Sequence, residues 1–244
     1  MSHTVSRLPR RFLLPVGLAA VVGCGGDLTL PDSSGAGVEL SLFGGDSQTG
    51  TVGERLPLPI VVRVETVDKQ PIGGKRVAFV LSSPASGAGK VDPDTAVTDS
   101  EGRASTTWVL GTTPGDYQGE ARLVTTDSTQ APAVPFSASA RAGAPDTIRA
   151  VSPLTQPGRR DQELDDPLVV AVVDRYGNPV PGATVFWSVT SGGGSLSAEE
   201  TTTASDGTAS VVWTLGSGIG IQKAAATIDG ATGSPVTFTA AVLF

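Results

Sequence analysis

The chain states one pattern twice. "TDSEGRASTTWVLG" (Thr98 to Gly111) returns as "TASDGTASVVWTLG" (Thr203 to Gly216), with Thr, Ser, an acid-Gly pair, Ala-Ser, Trp, Leu and Gly in the same places. Upstream, "QPIGGKRVAFVL" (Gln70 to Leu81) returns as "NPVPGATVFWSV" (Asn178 to Val189), so that Val77, Phe79 and Leu81 fall on Val185, Trp187 and Val189. The copies close alike, in "VPFSASA" (Val134 to Ala140) and "VTFTAAV" (Val236 to Val242). A unit of about 100 residues is the size of a domain and too long for a solenoid repeat. "RAGAPD" (Arg141 to Asp146) reads as the short joint between copies.

Within each unit, short β-branched, alternating runs sit between glycine and proline clusters, which is the signature of many short strands and turns. In the second copy the pattern predicts strands near 147–151, 168–174, 183–190, 195–197, 200–204, 208–215, 223–229 and 235–242. "DRYGNPVPG" (Asp174 to Gly182) is turn chemistry: Gly177 can take a positive φ and Pro179 presets its own. "SDG" (Ser205 to Gly207) predicts a tight hairpin. Successive strand side chains alternate faces, so Ala209, Val211, Trp213 and Leu215 share one face, expected to be buried. Trp108, its match Trp213, and Trp187 are expected in cores rather than as an exposed carbohydrate platform. Strands at this spacing, with no helical period between them, predict an all-β fold of two antiparallel sandwiches.

"PLVVAVVDRYGNPVPGATVFWSVTSGGGSLSAEETTTASDGTASVVWTLG" (Pro167 to Gly216) resembles the bacterial immunoglobulin-like group 1 domain, the repeat of intimins and invasins. The first copy resembles it more loosely: "VDKQPIGGKRVAFVL" lacks the Tyr-Gly of the turn, and "SSPASGAGKVDPD" is a longer insert. The resemblance implies two tandem Ig-like sandwiches without disulfides, at 38–142 and 146–244, displayed on a bacterial surface. The β-barrel segment and the lectin-like tip of intimins and invasins find no counterpart in these residues.

The N-terminal stretch supplies a different anchor. Arg7, Arg10 and Arg11 precede an apolar run from Phe12 to Val22 and then small residues, the order of a secretory signal. The run is shorter than the roughly 20 residues that span a bilayer. Val21-Val22-Gly23-Cys24 resembles a bacterial lipobox, implying a signal peptide at 1–23 and a diacylglycerol thioether on Cys24. Cys24 is the sole cysteine, and an exported chain with one thiol cannot close a disulfide within itself. Gly25, not aspartate, follows it, which by the same resemblance favours the outer membrane or cell surface. A spacer, 24–37, would lift the first sandwich off the membrane.

Little catalytic chemistry remains. His3, the one histidine, lies in the signal, leaving no imidazole for acid–base work or metal ligation. Removing three arginines from 17 basic residues leaves 14 against 24 acids, a balance of −10. That balance opposes nucleic-acid binding and anionic lipid, so membrane attachment rests on the acyl group. Glu163 to Asp166, and Glu199 with Glu200, are the densest carboxylates, but glycosidase chemistry needs carboxyls opposed across a cleft. Asp161, Glu163, Asp165 and Asp166 are candidate cation ligands near the joint, without EF-hand spacing. "GRR" (Gly158 to Arg160) beside them reads as a surface ion-pair spot. The expectation is a non-enzymatic lipid-anchored Ig-like rod for adhesion or for binding an unknown protein or glycan at the bacterial surface, with no cofactor and no small-molecule substrate. A structural spacer or accessory subunit within the envelope or periplasm is the alternative.

Overall fold

The computed structural model describes residues 37–82, 87, 89–125 and 131–243. The expected signal peptide 1–23, Cys24 and residues 25–36 of the expected spacer lie outside them, as do 83–86 and 88 of the first copy's insert.

The first sandwich opens with β1 (Val38–Gly44), β2 (Gln48–Thr51), β3 (Ile60–Thr66), β4 (Arg76–Ser82) and β5 (Lys90–Asp92). It closes with β6 (Thr95–Val97), β7 (Arg103–Val109), β8 (Gly115–Leu123) and β9 (Ala133–Arg141). One sheet runs β1-β3-β7-β5, the other β2-β9-β8-β4-β6. The second begins with β10 (Thr147–Ala150), β11 (Thr155–Arg159), β12 (Leu168–Val173), β13 (Thr184–Ser191) and β14 (Gly194–Leu196). Then come β15 (Glu200–Thr202), β16 (Thr208–Val211), β17 (Trp213–Leu215), β18 (Gly220–Thr227) and β19 (Val236–Leu243). Its sheets run β10-β12-β16, continued by β14-β17, against β11-β19-β18-β13-β15. Among the described residues there is no helix.

The alternation works as the sequence predicts. Ala209, Val211, Trp213 and Leu215 are all buried, and so are Trp108 and Trp187. Each sandwich encloses its own core. Trp108 meets Phe136 edge-on at 5.3 Å and Tyr117 at 6.3 Å. In the second core Trp187 stacks on Phe238 at 6.4 Å, and its Nε1 donates to Thr201 Oγ1 at 2.8 Å.

Three features differ from the sequence reading. Thr155–Arg159 is a strand where the alternation predicts none, since Pro157 and Gly158 interrupt it. β11 is an edge strand pairing parallel to β19, and an edge can spare the N–H that proline lacks. β2 pairs the same way with β9, so neither sandwich is wholly antiparallel. Gly158 is needed there: a Cβ would overlap Leu215 and crowd Leu164, and Gly50 faces Leu110 and Leu56 identically. The Ser205–Gly207 turn joins no paired hairpin, because β15 and β16 belong to opposite sheets. Gly207 N–H closes it on the Ala204 carbonyl at 2.9 Å, with Gly207 alone left-handed, at φ 75°.

Buried threonines tie the sheets at matched points. Thr203 Oγ1 donates to the Val180 carbonyl (2.6 Å) and accepts from Ala183 N–H (2.8 Å); Thr98 does the same with Ile72 and Lys75. Thr203→Val keeps the shape and strands both groups. It should cost the second sandwich about 1–3 kcal/mol, read by urea denaturation.

Candidate functional site

The acidic residues at the end of the second sandwich do not converge. Asp161 sits exposed in the turn after β11, and Glu163 bridges to Thr214. Glu163 and Asp165 line a shallow cleft with Arg159, Gln162 and Leu243. Among the described residues no group of three or more His, Cys, Asp and Glu side chains comes together to hold a metal ion. Glu199 and Glu200 lie elsewhere, at the edge strand β15, where the Glu199 carbonyl accepts from Trp187 N–H. No ion pair within 4 Å joins Arg159 or Arg160 to the acids beside them, so the expected surface pair does not form; the described pairs are Arg63–Glu65, Lys69–Glu39, Arg103–Glu101 and Arg122–Glu120.

The most organised polar site is Asp174, at the junction of the sandwiches. Its Oδ2 accepts from the linker N–H of Gly143 at 2.9 Å. Its Oδ1 accepts from the N–H groups of Tyr176 and Asn178, both at 2.9 Å, and Asn178 Nδ2 reaches both oxygens. Burial alone would raise this carboxyl. The hydrogen bonds from the Asn178 side chain and from the Gly143, Asn178 and Tyr176 backbone outweigh it and hold the carboxyl below its ordinary range. Asn178 Nδ2 also donates to the Thr112 carbonyl of the first sandwich at 2.8 Å. The Tyr176 hydroxyl rests against Gly53, so closely that a Cβ there would overlap it. Thr51, Val52, Glu54, Gly143–Asp146 and Arg175 line the cleft alongside. The "DRYGNP" turn is therefore more than a turn: it seats the second sandwich on the first.

The first copy builds the same turn without the seat. Thr66 stands where Asp174 does, its Oγ1 accepting from Gln70 N–H at 3.1 Å, and Lys69 takes the left-handed φ of Gly177. Asp68 occupies the place of Tyr176. The missing Tyr-Gly in the looser copy was the sequence signal for this site.

The sandwiches also differ on one outer face. Ile221, Ala241 and Pro157 are cross-strand partners on β18, β19 and β11. Beside them Ile219 and Leu243 are 57% and 61% exposed, and Ile221 is 58% exposed. The matched triple in the first sandwich is Asp116, Ser139 and Thr49, with Thr49 and Ser139 hydroxyls 3.1 Å apart. The fold tolerates polar residues at these positions, so the apolar group is a property of the second sandwich alone. It lies away from the joint: β19 leaves the joint end near Thr232, which accepts from Ile148 N–H, and finishes at Leu243.

Residues 165–241 match the bacterial Ig-like domain (group 1). Among solved structures, the chain is similar to FdeC, an Escherichia coli adhesin, at 19% identity over 84% of this chain, with a TM-score of 0.52. It spans 64% of that chain. Similarity to InvD of Yersinia pseudotuberculosis is 15% over 86% of this chain and 58% of that one (TM-score 0.47). For invasin, a bacterial integrin-binding protein, it is 21% over 84% and 39% (TM-score 0.34). At 19% identity the likeness to FdeC is one of fold. No curated protein sequence matches the chain.

Proposed function

Taking residues 165–241 as a bacterial Ig-like domain of group 1, we propose that the chain is an exported, non-enzymatic binding protein of the bacterial surface. Diacylglycerol on Cys24 holds it to the outer membrane, and the second sandwich meets a protein or glycan partner. The observation that carries this reading is the outward-facing Ile221–Ala241–Pro157 group, with Ile221 and Pro157 exposed and Ala241 half-buried between them, placed where the sister sandwich carries Asp116, Ser139 and Thr49. Apolar residues kept in water where polar ones fit equally well mark an interaction surface. Adhesion is the use to which FdeC, of the same fold, is put. An acyl anchor suits an acidic chain, since each buried CH₂ contributes about 0.8 kcal/mol regardless of lipid charge.

Protease shaving of intact cells tests both parts. The sandwiches should be cleaved on wild-type cells and shed into the medium from Cys24→Ala cells. Ile221→Asp, which installs the residue of the first sandwich, should leave the protein folded and displayed while cutting cell attachment about tenfold. Sandwiches protected until the envelope is broken would instead favour a spacer inside the envelope.

A further inference from the structure

We propose that the residue at one left-handed turn position decides whether a sandwich end accepts another sandwich, and that Asp161 closes the second sandwich to such docking. This inference stands independently of the adhesive reading.

The two turns are the same object. In the first sandwich Gly53 N–H donates to the Gly111 carbonyl, Glu54 N–H to Thr51, and Leu110 N–H to Glu54. In the second, Asp161 N–H donates to Gly216, Gln162 N–H to Arg159, and Leu215 N–H to Gln162. Gly53 has φ 71° and Asp161 φ 57°. Arg55 bridges to Val109 as Glu163 does to Thr214. The backbone of the acceptor is thus present at both ends.

The side chain differs at the one place that matters. The Tyr176 hydroxyl occupies the space that a Cβ on Gly53 would need. Aspartate visits the left-handed region at modest cost, so the turn survives in the second sandwich, but its Cβ and carboxylate fill the seat. An incoming "DRYGNP" turn would have to swing its tyrosine away, and would lose the seat without disturbing either core. A second copy of this chain fares no better. Its leading turn carries Asp68 in place of tyrosine, which would bring two carboxylates together. The pair of sandwiches is therefore a closed pair. The far end, with Ile219, Ile221 and Leu243, stays open to a partner of another kind, and any sandwich joined beyond it would hang without this lock.

Pulsed dipolar spectroscopy on the full chain tests the proposal. Nitroxides are placed at Gln118→Cys and Thr237→Cys, both exposed strand positions, in a Cys24→Ser background. Gly53→Asp should at least double the width of the distance distribution between sandwiches, while Trp108 fluorescence reports a folded first core. Asp161→Gly should leave the width unchanged. In a second arm the chain is extended beyond Phe244 by a further copy of residues 143–244, labelled across the new joint. There Asp161→Gly should narrow the distribution at least twofold. A width unmoved by Gly53→Asp, or equal in the extended chain with and without Asp161→Gly, overturns the proposal.

Discussion

Trp213→Ala should remove about 3–5 kcal/mol from the second sandwich and leave the first nearly untouched. Trp213 is fully buried, on the face it shares with Ala209, Val211 and Leu215. β17 is short and pinned on one side by β14, so the strand has little freedom to collapse into the void. For a domain whose whole stability is of order 5–15 kcal/mol, such a loss is a large fraction. The two cores share no buried residue, so the effect should stay local. Two native reporters check this: Trp187 for the second sandwich and Trp108 for the first. In guanidinium titration the Trp187 transition should move far to lower denaturant and the Trp108 transition should hardly move. Equal shifts would mean that the sandwiches unfold as one unit. Trp213→Phe should be much milder. The Trp213 Nε1 is buried without a hydrogen-bond partner, so phenylalanine removes an unpaired donor while keeping most of the ring.

Asp174→Ala is expected to cost about 3 kcal/mol and to free the joint at the same time. It strands the N–H groups of Gly143, Tyr176 and Asn178, and lets Asn178 turn away from Thr112. Spin labels across the joint should report a broadened distance distribution even where the second core persists. The acid dependence follows from the lowered carboxyl. A group held below its unfolded value contributes its stability in full above the ordinary aspartate range, near pH 4, and loses it as pH falls through the folded value. The stability gap between wild type and Asp174→Asn should therefore be constant from neutral pH to about 5 and shrink below about 4. Asp46 and Asp206 are lowered too, so only the difference between the two proteins isolates Asp174. A gap that stays constant to pH 2 would show that the carboxylate charge is not what the joint uses.

Period-2 alternation was enough to place most strands and the core. It identified the buried face through Trp213 and the matched tryptophans, because side-chain alternation is a local property of extended backbone. It failed at Thr155–Arg159, where Pro157 and Gly158 argue locally for a turn. Parallel pairing with β19, distant in sequence, overrides that argument. The carboxylates were legible as a cluster in sequence, but consecutive strand and turn residues point apart, and among the described residues no three side chains of the kind that bind metals converge. Gln222 was invisible for another reason. It is fully buried and donates to the Gly216 and Gly218 carbonyls, fixing the corner that Tyr117 fixes through the Thr113 carbonyl in the first sandwich. Two residues so different in type share a role only because the fold brings matched carbonyls, Gly218 and Thr113, within reach of each.

The sequence by itself determined that the chain is all-β, that it folds in two copies, and that its tryptophans are interior. These follow from local alternation and from repetition, which any reader of the residues can count. Tertiary structure alone decided that Asp174, Tyr176 and Asn178 form a joint rather than a loop. It alone opposed Ile221 to Ala241 and Pro157, and set Gly53 and Asp161 in equivalent turns. Those relations hold between residues far apart in sequence, and only the packed sheets bring them within a few ångströms.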